Sequence, residues 1–128
     1  MSWCIWITGL PGSGKSTIAK ELLKILEMRG VYARHLRMDE IRKSLTPKLE
    51  YTEKERDVAY TKLVSIAKNL VEDGVNTIID ATGHKKKWRN LARSQIKDFV
   101  EVFVDCPLEV CIERETKRKD NLVTKRMY

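Results

Sequence analysis

The chain has 128 residues, 42% apolar and 34% charged, with a formal net charge of +7. That is enough for one domain, residues 1–128, able to bury a core without covalent staples, and it excludes a disordered chain. Three cysteines, odd in number and without paired spacing, exclude a disulfide framework or a zinc site, and no apolar run reaches membrane-spanning length.

The cysteines are expected to be reduced and mostly buried in a cytoplasmic protein, with no membrane partner. The positive balance favours polyanionic partners such as nucleotides and phosphorylated or sulfated metabolites. A lysine-rich solvated surface is the plainer reading of the same charge.

Trp3–Thr8 is a short apolar run closed by Gly9, as in a buried parallel strand. Beyond a glycine-rich loop, Ile18, Leu22, Ile25 and Leu26 recur at helical spacing, and Gly30 supplies a C-terminal cap. Residues 31–36 form a weaker second strand. Asp39 can cap a short helix to about Leu45, and Pro47 breaks the chain. Thr52 and Glu55 form a capping box for a helix with the stripe Ala59, Leu63, Ile66 and Leu70, ended by Gly74. Residues 75–80 are the third strand, 86–96 a basic helix and 99–104 the fourth strand. A last helix starts at Pro107 and runs to about Lys119. Strands alternating with helices predict a three-layer α/β fold. Its parallel sheet has four strands, or five if another follows, and is flanked by helices. The chain stops at Tyr128 inside a basic stretch, as expected of a fragment lacking its lid and last strand, or of a small sheet.

Gly9-Leu10-Pro11-Gly12-Ser13-Gly14-Lys15-Ser16, followed by Thr17, matches the phosphate-binding loop pattern G-x-x-x-x-G-K-[ST]. The glycines let the backbone curl so that successive N–H groups point at phosphate oxygens, and the following helix adds its positive dipole end. Lys15 is placed for the β- and γ-phosphates, and the Ser16 hydroxyl for Mg²⁺. ATP and Mg²⁺ are therefore the expected cofactors. The fold this implies is the P-loop nucleoside-triphosphate hydrolase/kinase fold.

No Asn-Lys-x-Asp guanine-reading motif occurs, which disfavours a GTPase. The size and the basic C-terminal stretch point to a kinase with a mobile lid begun by Arg114, Lys117, Arg118 and Lys119, or else to a solvated helix end. Asp39 and Asp80 both end strands, at the edge where ligands bind in open parallel sheets. Asp39 is a candidate for orienting an acceptor hydroxyl, or a plain helix cap; Asp80 is a candidate for the Mg²⁺ shell, or an Asx-turn residue. Arg42 and Arg56 lie on helices that would flank the acceptor cleft and suit anion recognition. Glu55 reads as a capping residue, and Lys85-Lys86-Lys87-Trp88-Arg89 as a solvated helix face with Trp88 turned inward or as a nucleic-acid contact. His35 and His84 have no visible partner.

Four stretches give a resemblance to the adenylylsulfate kinase family. They are residues 9–19, residues 36–42, Tyr51-Thr52 with Glu55-Arg56, and residues 99–111 ending in Cys106-Pro107-Leu108-Glu109-Val110-Cys111. The resemblance implies transfer of the γ-phosphate of ATP to the 3′-hydroxyl of adenylylsulfate, with catalytic roles for Lys15 and Asp39. It also implies ATP binding by the loop and Arg114, and acceptor binding by Asp39, Arg42, Tyr51, Arg56 and Lys117. A nucleotide and a small anionic acceptor would be the partners, nucleic acid a less favoured one, and a homodimer is compatible. The chain differs from the family pattern in places. Arg37-Met38 replaces an Asp-Gly, Ala59 and Thr61 stand for an Asn and an Arg, and Thr82-Gly83-His84 stands for Ile-Ser-Pro. Its third strand ends Asp80-Ala81-Thr82, similar to polynucleotide 5′-hydroxyl kinases. A kinase acting on a nucleic-acid 5′-hydroxyl or another small hydroxyl compound, and a non-catalytic nucleotide-binding module, are the alternative expectations.

Overall fold

The computed structural model describes residues 2–45 and 52–116. Its elements run β1 (Cys4–Thr8), α1 (Lys15–Met28), β2 (Ala33–Arg37), α2 (Met38–Leu45), α3 (Glu53–Glu72), β3 (Asn76–Asp80), α4 (Lys86–Gln95), β4 (Phe99–Phe103) and α5 (Leu108–Thr116). The four strands are parallel in the order β2-β3-β1-β4. Each parallel neighbour needs a crossover, and the helices supply it.

Strand alternation divides the core. Cys4 and Trp6 of β1, Leu36 of β2 and Ile79 of β3 face α3 and α4, and pack with Ala59, Tyr60, Leu63, Val64, Ala67, Trp88 and Ala92. Ile7 and Ile78 face the other way, onto Ala19 of α1. Helices thus cover both sheet faces, which is the three-layer arrangement expected. On α3 the predicted stripe holds: Ala59 and Leu63 are buried, while Ile66 and Leu70 pack at its margin. Thr52 caps this helix, its Oγ1 accepting from the Glu55 N–H at 3.2 Å.

The stripe on α1 is rotated from the prediction. Ile18 is 42% and Ile25 49% exposed. Leu22 and Leu26 turn inward as predicted, joined by Ala19 and Leu23 in place of Ile18 and Ile25. The loop sets this phase. Ser16 must reach Asp80 across the sheet, and residues 19, 23 and 26 follow Ser16 on the same helix face. Met28 is exposed for the same reason.

An aromatic stack fixes the loop after β3. Tyr60 lies between Trp88, 4.2 Å away with rings 10° apart, and Trp6 at 5.9 Å and 12°. Trp6 Nε1 donates to the Ala81 carbonyl at 3.1 Å, and the Gly83 N–H donates to the Tyr60 hydroxyl at 2.8 Å. Offset stacks of this kind contribute about 0.5–1.5 kcal/mol beyond their buried area. Their effect on the site is positional: residues 81–83 are held from beneath, and Asp80 is held with them.

Candidate active site

The site forms where β1, β2 and β3 end. Gly9, Gly12 and Gly14 have φ of 152°, 82° and 102°, so the loop curls back over the start of α1. A Cβ on Gly9 would lie 2.9 Å from Ser13 Oγ and 2.9 Å from the Val104 carbonyl, leaving no room for a side chain there. Gly14 caps α1 without any side-chain hydrogen bond, and the first turn carries no acidic residue. The helix N–H groups therefore have no competing protein anion. Ser13 Oγ is buried and has no hydrogen-bond partner among the described residues. Leu10 accepts at its carbonyl from the Ser13 N–H at 3.0 Å and from Lys15 Nζ at 3.2 Å. This arrangement fits a bound polyphosphate: a glycine cradle, an uncapped helix start and a lysine folded onto the loop.

Asp80 closes the site from β3. Its Oδ2 accepts from the Ser16 hydroxyl at 2.6 Å and from His35 Nε2, across in β2, at 3.3 Å. Asp80 is 6% exposed. Burial pushes its carboxyl pKa up, but the hydrogen bonds from His35 and Ser16 and the nearby Lys15 charge outweigh this, and the value lies below the ordinary carboxylate range. A buried carboxylate kept ionised beside the serine of a phosphate loop is a donor set for a hard divalent cation. The Asx-turn reading of Asp80 is thus secondary to its contacts. His35, for which the sequence suggested no role, is the residue this site adds. Its signal was alternation: His35 and Arg37 share one face of β2, and Arg37 is in register with Asp80.

The acceptor side is organised by ion pairs. Asp39 lies inside the first turn of α2 rather than capping it, because the helix begins at Met38. Its Oδ2 lies 3.3 Å from Arg37 Nη2, and its Oδ1 accepts from the Glu40 N–H at 3.1 Å. Arg37 also lies 3.7 Å from Glu40. Arg42 is 6% exposed and sits 3.6 Å from Glu55 of α3. Glu55, read as a capping residue, thus has its carboxylate directed to α2. Arg56 is half-buried on α3, and both it and Arg42 act electrostatically on Tyr60. His84 is exposed but partly covered, with its ring edge on Trp88 at 5.0 Å. Burial, then the charges of Arg56 and Lys85, lower its pKa.

Arg114 of α5 reaches back to the loop. Its Nη1 donates to the Gly12 carbonyl at 3.3 Å and lies 3.8 Å from where a Gly14 Cβ would be. Leu10, Pro11 and Thr17 lie in the loop and first turn as expected. Tyr51 and Lys117, expected at the acceptor and lid, lie outside the described residues, as do Arg118 and Lys119.

The basic run is largely neutralised. Lys85 pairs with Glu53, Lys87 lies 3.0 Å from Asp57, and Arg89 lies 2.7 Å from Glu101. Trp88 is buried in the stack, as the inward reading expected. Arg93 joins Glu101 at 3.0 Å, so both arginines of α4 brace β4. No helix among the described residues is long and apolar enough to cross a membrane.

Comparison with known proteins agrees with this geometry. The family model for adenylylsulphate kinase matches residues 1–123. A "Probable adenylyl-sulfate kinase" of Archaeoglobus fulgidus is 41% identical over 91% of this chain and 76% of its own length. An adenylyl-sulfate kinase of Halothermothrix orenii is 37% identical over 88% of this chain, which spans 61% of that relative's length. The solved Mycobacterium tuberculosis APS kinase CysC, in complex with AMPPNP and APS, superposes with a TM-score of 0.82 at 31% identity over 96% of this chain and 76% of that one. With the phosphate loop, the Ser16–Asp80 contact and a model match over nearly the whole sequence, the chain belongs to the adenylylsulphate kinase family.

Proposed function

We propose that this chain is an ATP-dependent kinase that transfers the γ-phosphate to the 3′-hydroxyl of adenylylsulfate. The observation that carries the reading is the meeting, at one sheet edge, of the loop–Asp80 donor half with an acceptor half built from Asp39, Arg42 and Arg56. It stands in a chain 41% identical to a relative named for that activity.

The loop N–H groups and Lys15 bind and neutralise the donor phosphates; Lys15 leaves the Leu10 carbonyl to do so. Ser16 and Asp80 would hold Mg²⁺, which when bound supplies charge neutralisation at the transferring phosphoryl group. Asp39 orients the acceptor hydroxyl and accepts its proton, with Arg37 holding the carboxylate meanwhile. Arg42 and Arg56 bind the acceptor's anionic groups, and Tyr51 and Lys117 are assigned to acceptor and lid from their place in the sequence. Arg114, on the loop, supports the nucleotide. The three cysteines are free thiols, which suits a cytoplasmic protein, and a homodimer fits the reading.

A nucleic-acid 5′-hydroxyl is the competing acceptor. Pairing of Lys85, Lys87 and Arg89 with acidic partners leaves little free charge for it. Labelled ATP and Mg²⁺ should be offered with adenylylsulfate, nucleoside monophosphates and a 5′-hydroxyl oligonucleotide in parallel. Transfer to adenylylsulfate is expected. Transfer only to the oligonucleotide would replace this reading, and nucleotide binding without transfer would mark a non-catalytic module. Lys15→Ala should abolish transfer to every acceptor.

A further inference from the structure

The two cysteines at the start of α5 are used by nothing in the mechanism, yet they sit directly behind a residue on the phosphate loop. Cys106 precedes the helix and is half-exposed; Cys111 lies in its first turns and is fully buried. The Cys111 thiol donates to the Cys106 carbonyl at 3.7 Å, and the Cys106 side chain adds to the rise of its pKa. On its other side the Cys106 sulfur lies 3.9 Å from Arg114 Nη1. The same nitrogen bonds the Gly12 carbonyl at 3.3 Å. One guanidinium therefore links the cysteine pair to the nucleotide loop.

We propose that Cys106 and Cys111 form a redox modification site, closed to an intramolecular disulfide by a small-molecule disulfide, and that closure lowers nucleotide affinity through Arg114. This rests on the reading of the loop as the nucleotide site. The two sulfurs have different tasks. Cys106 is accessible and has a cation beside the sulfur that carries charge during exchange, so it is the attacking thiol. Its thiolate bonds one sulfur of the external disulfide and expels the other half as a thiolate, which takes up the proton Cys106 lost. Cys111 then gives up its proton, and its sulfur attacks Cys106 and expels the second half. Two protein thiols are oxidised and one external disulfide is reduced to two thiols.

Burial, with the Cys106 contact adding to it, pushes the Cys111 thiol up to about 11, so the second step is the slow one. Cys4 provides an internal control: it is fully buried in β1, its thiol is pushed up to about 12, and it stays unmodified in the folded protein. Closure draws the Cys106 sulfur towards Cys111 and away from Arg114. The first turn of α5 is set by the Val110 and Cys111 N–H groups, each 3.1 Å from the Pro107 carbonyl. It must adjust, and Arg114 moves with it.

The test uses the purified full chain, treated with glutathione disulfide and then digested for peptide mapping, with binding of a fluorescent ATP analogue measured before oxidation, after it, and after dithiothreitol. The expected results are a Cys106–Cys111 bridge, an unmodified Cys4, and a nucleotide Kd raised at least about tenfold and restored by dithiothreitol, the scale of losing one charged hydrogen bond. Cys106→Ser, a half-exposed position, should be insensitive. Cys111→Ser should stop at a mixed disulfide on Cys106; if that buried variant fails to fold, Cys106→Ser and the map decide alone. No 106–111 bridge, or a bridge with unchanged affinity, overturns the proposal. Failure of the reduced protein to bind the analogue would count against the nucleotide reading instead, and the map would still decide the site.

Discussion

His35 Nε2 lies 3.3 Å from the same oxygen of Asp80 that receives the Ser16 hydroxyl at 2.6 Å. Were Ser16 to turn to a metal ion it would give up that bond, leaving His35 to hold the carboxylate. His35→Leu removes the donor, whereas His35→Gln retains one. The leucine variant should need more Mg²⁺ for nucleotide binding and lose about 10–100-fold in activity, the usual scale for residues supporting a metal ligand. The glutamine variant should recover part of both. Equal Mg²⁺ titrations for wild type and His35→Leu would remove His35 from the site.

Asp39 and Arg56 should separate chemistry from acceptor binding. Asp39→Asn keeps the size of the side chain but cannot take a proton. It should lower kcat by about 10²–10⁴-fold with ATP affinity retained. Arg56→Ala should raise the acceptor KM by about tenfold, since a hydrogen bond to a charged group contributes about 1.5–3 kcal/mol, and leave the ATP KM alone. Steady-state kinetics with each substrate varied would reveal a reversed pattern, which would reassign both residues.

Gly83→Ala should be strongly destabilising. The residue has φ +52°, and a Cβ would stand 2.8 Å from Cζ2 of Trp6, whose indole is stacked on Tyr60 and cannot retreat. Left-handed strain and overpacking together amount to about 2–4 kcal/mol. Urea denaturation followed by tryptophan fluorescence would measure it. A loss below about 1 kcal/mol would mean that the loop is not clamped as described.

His84 sets a pH dependence of stability. Burial, Arg56 and Lys85 lower its pKa from 6.5, with Glu53 opposing. As pH falls below about 6.5 the unfolded chain takes up a proton that the folded chain resists, so this residue's contribution to stability declines down to the folded value and is unchanged above 6.5. His84→Gln should therefore gain Tm relative to wild type at pH 5 and match it at pH 8. A constant difference at both pH values would contradict the assignment.

Much of the donor half was legible in sequence because it is local. A short apolar run, a glycine loop with lysine and serine, and a helix are consecutive, and each residue's task depends on its neighbours in the chain. The parallel sheet and its two covered faces followed from alternation of strands and helices. Properties that depend on distant partners were not legible. The inward face of α1 was only half legible, Leu22 and Leu26 but not Ile18 and Ile25, because Ser16 answers to Asp80, 64 residues away. His35 had no visible role until β2 and β3 came into register. Glu55 read as a cap because its Arg42 partner lies on another helix, and Lys85 and Lys87 read as free charge because Glu53 and Asp57 lie a full crossover earlier. The sequence by itself determined that this protein carries a phosphate-loop pattern and how its chain is layered, since backbone curl and hydrophobic period are short-range. Which charges stay available for an acceptor was decided only by tertiary structure, because a charge is neutralised by whatever the fold places within about 4 Å of it.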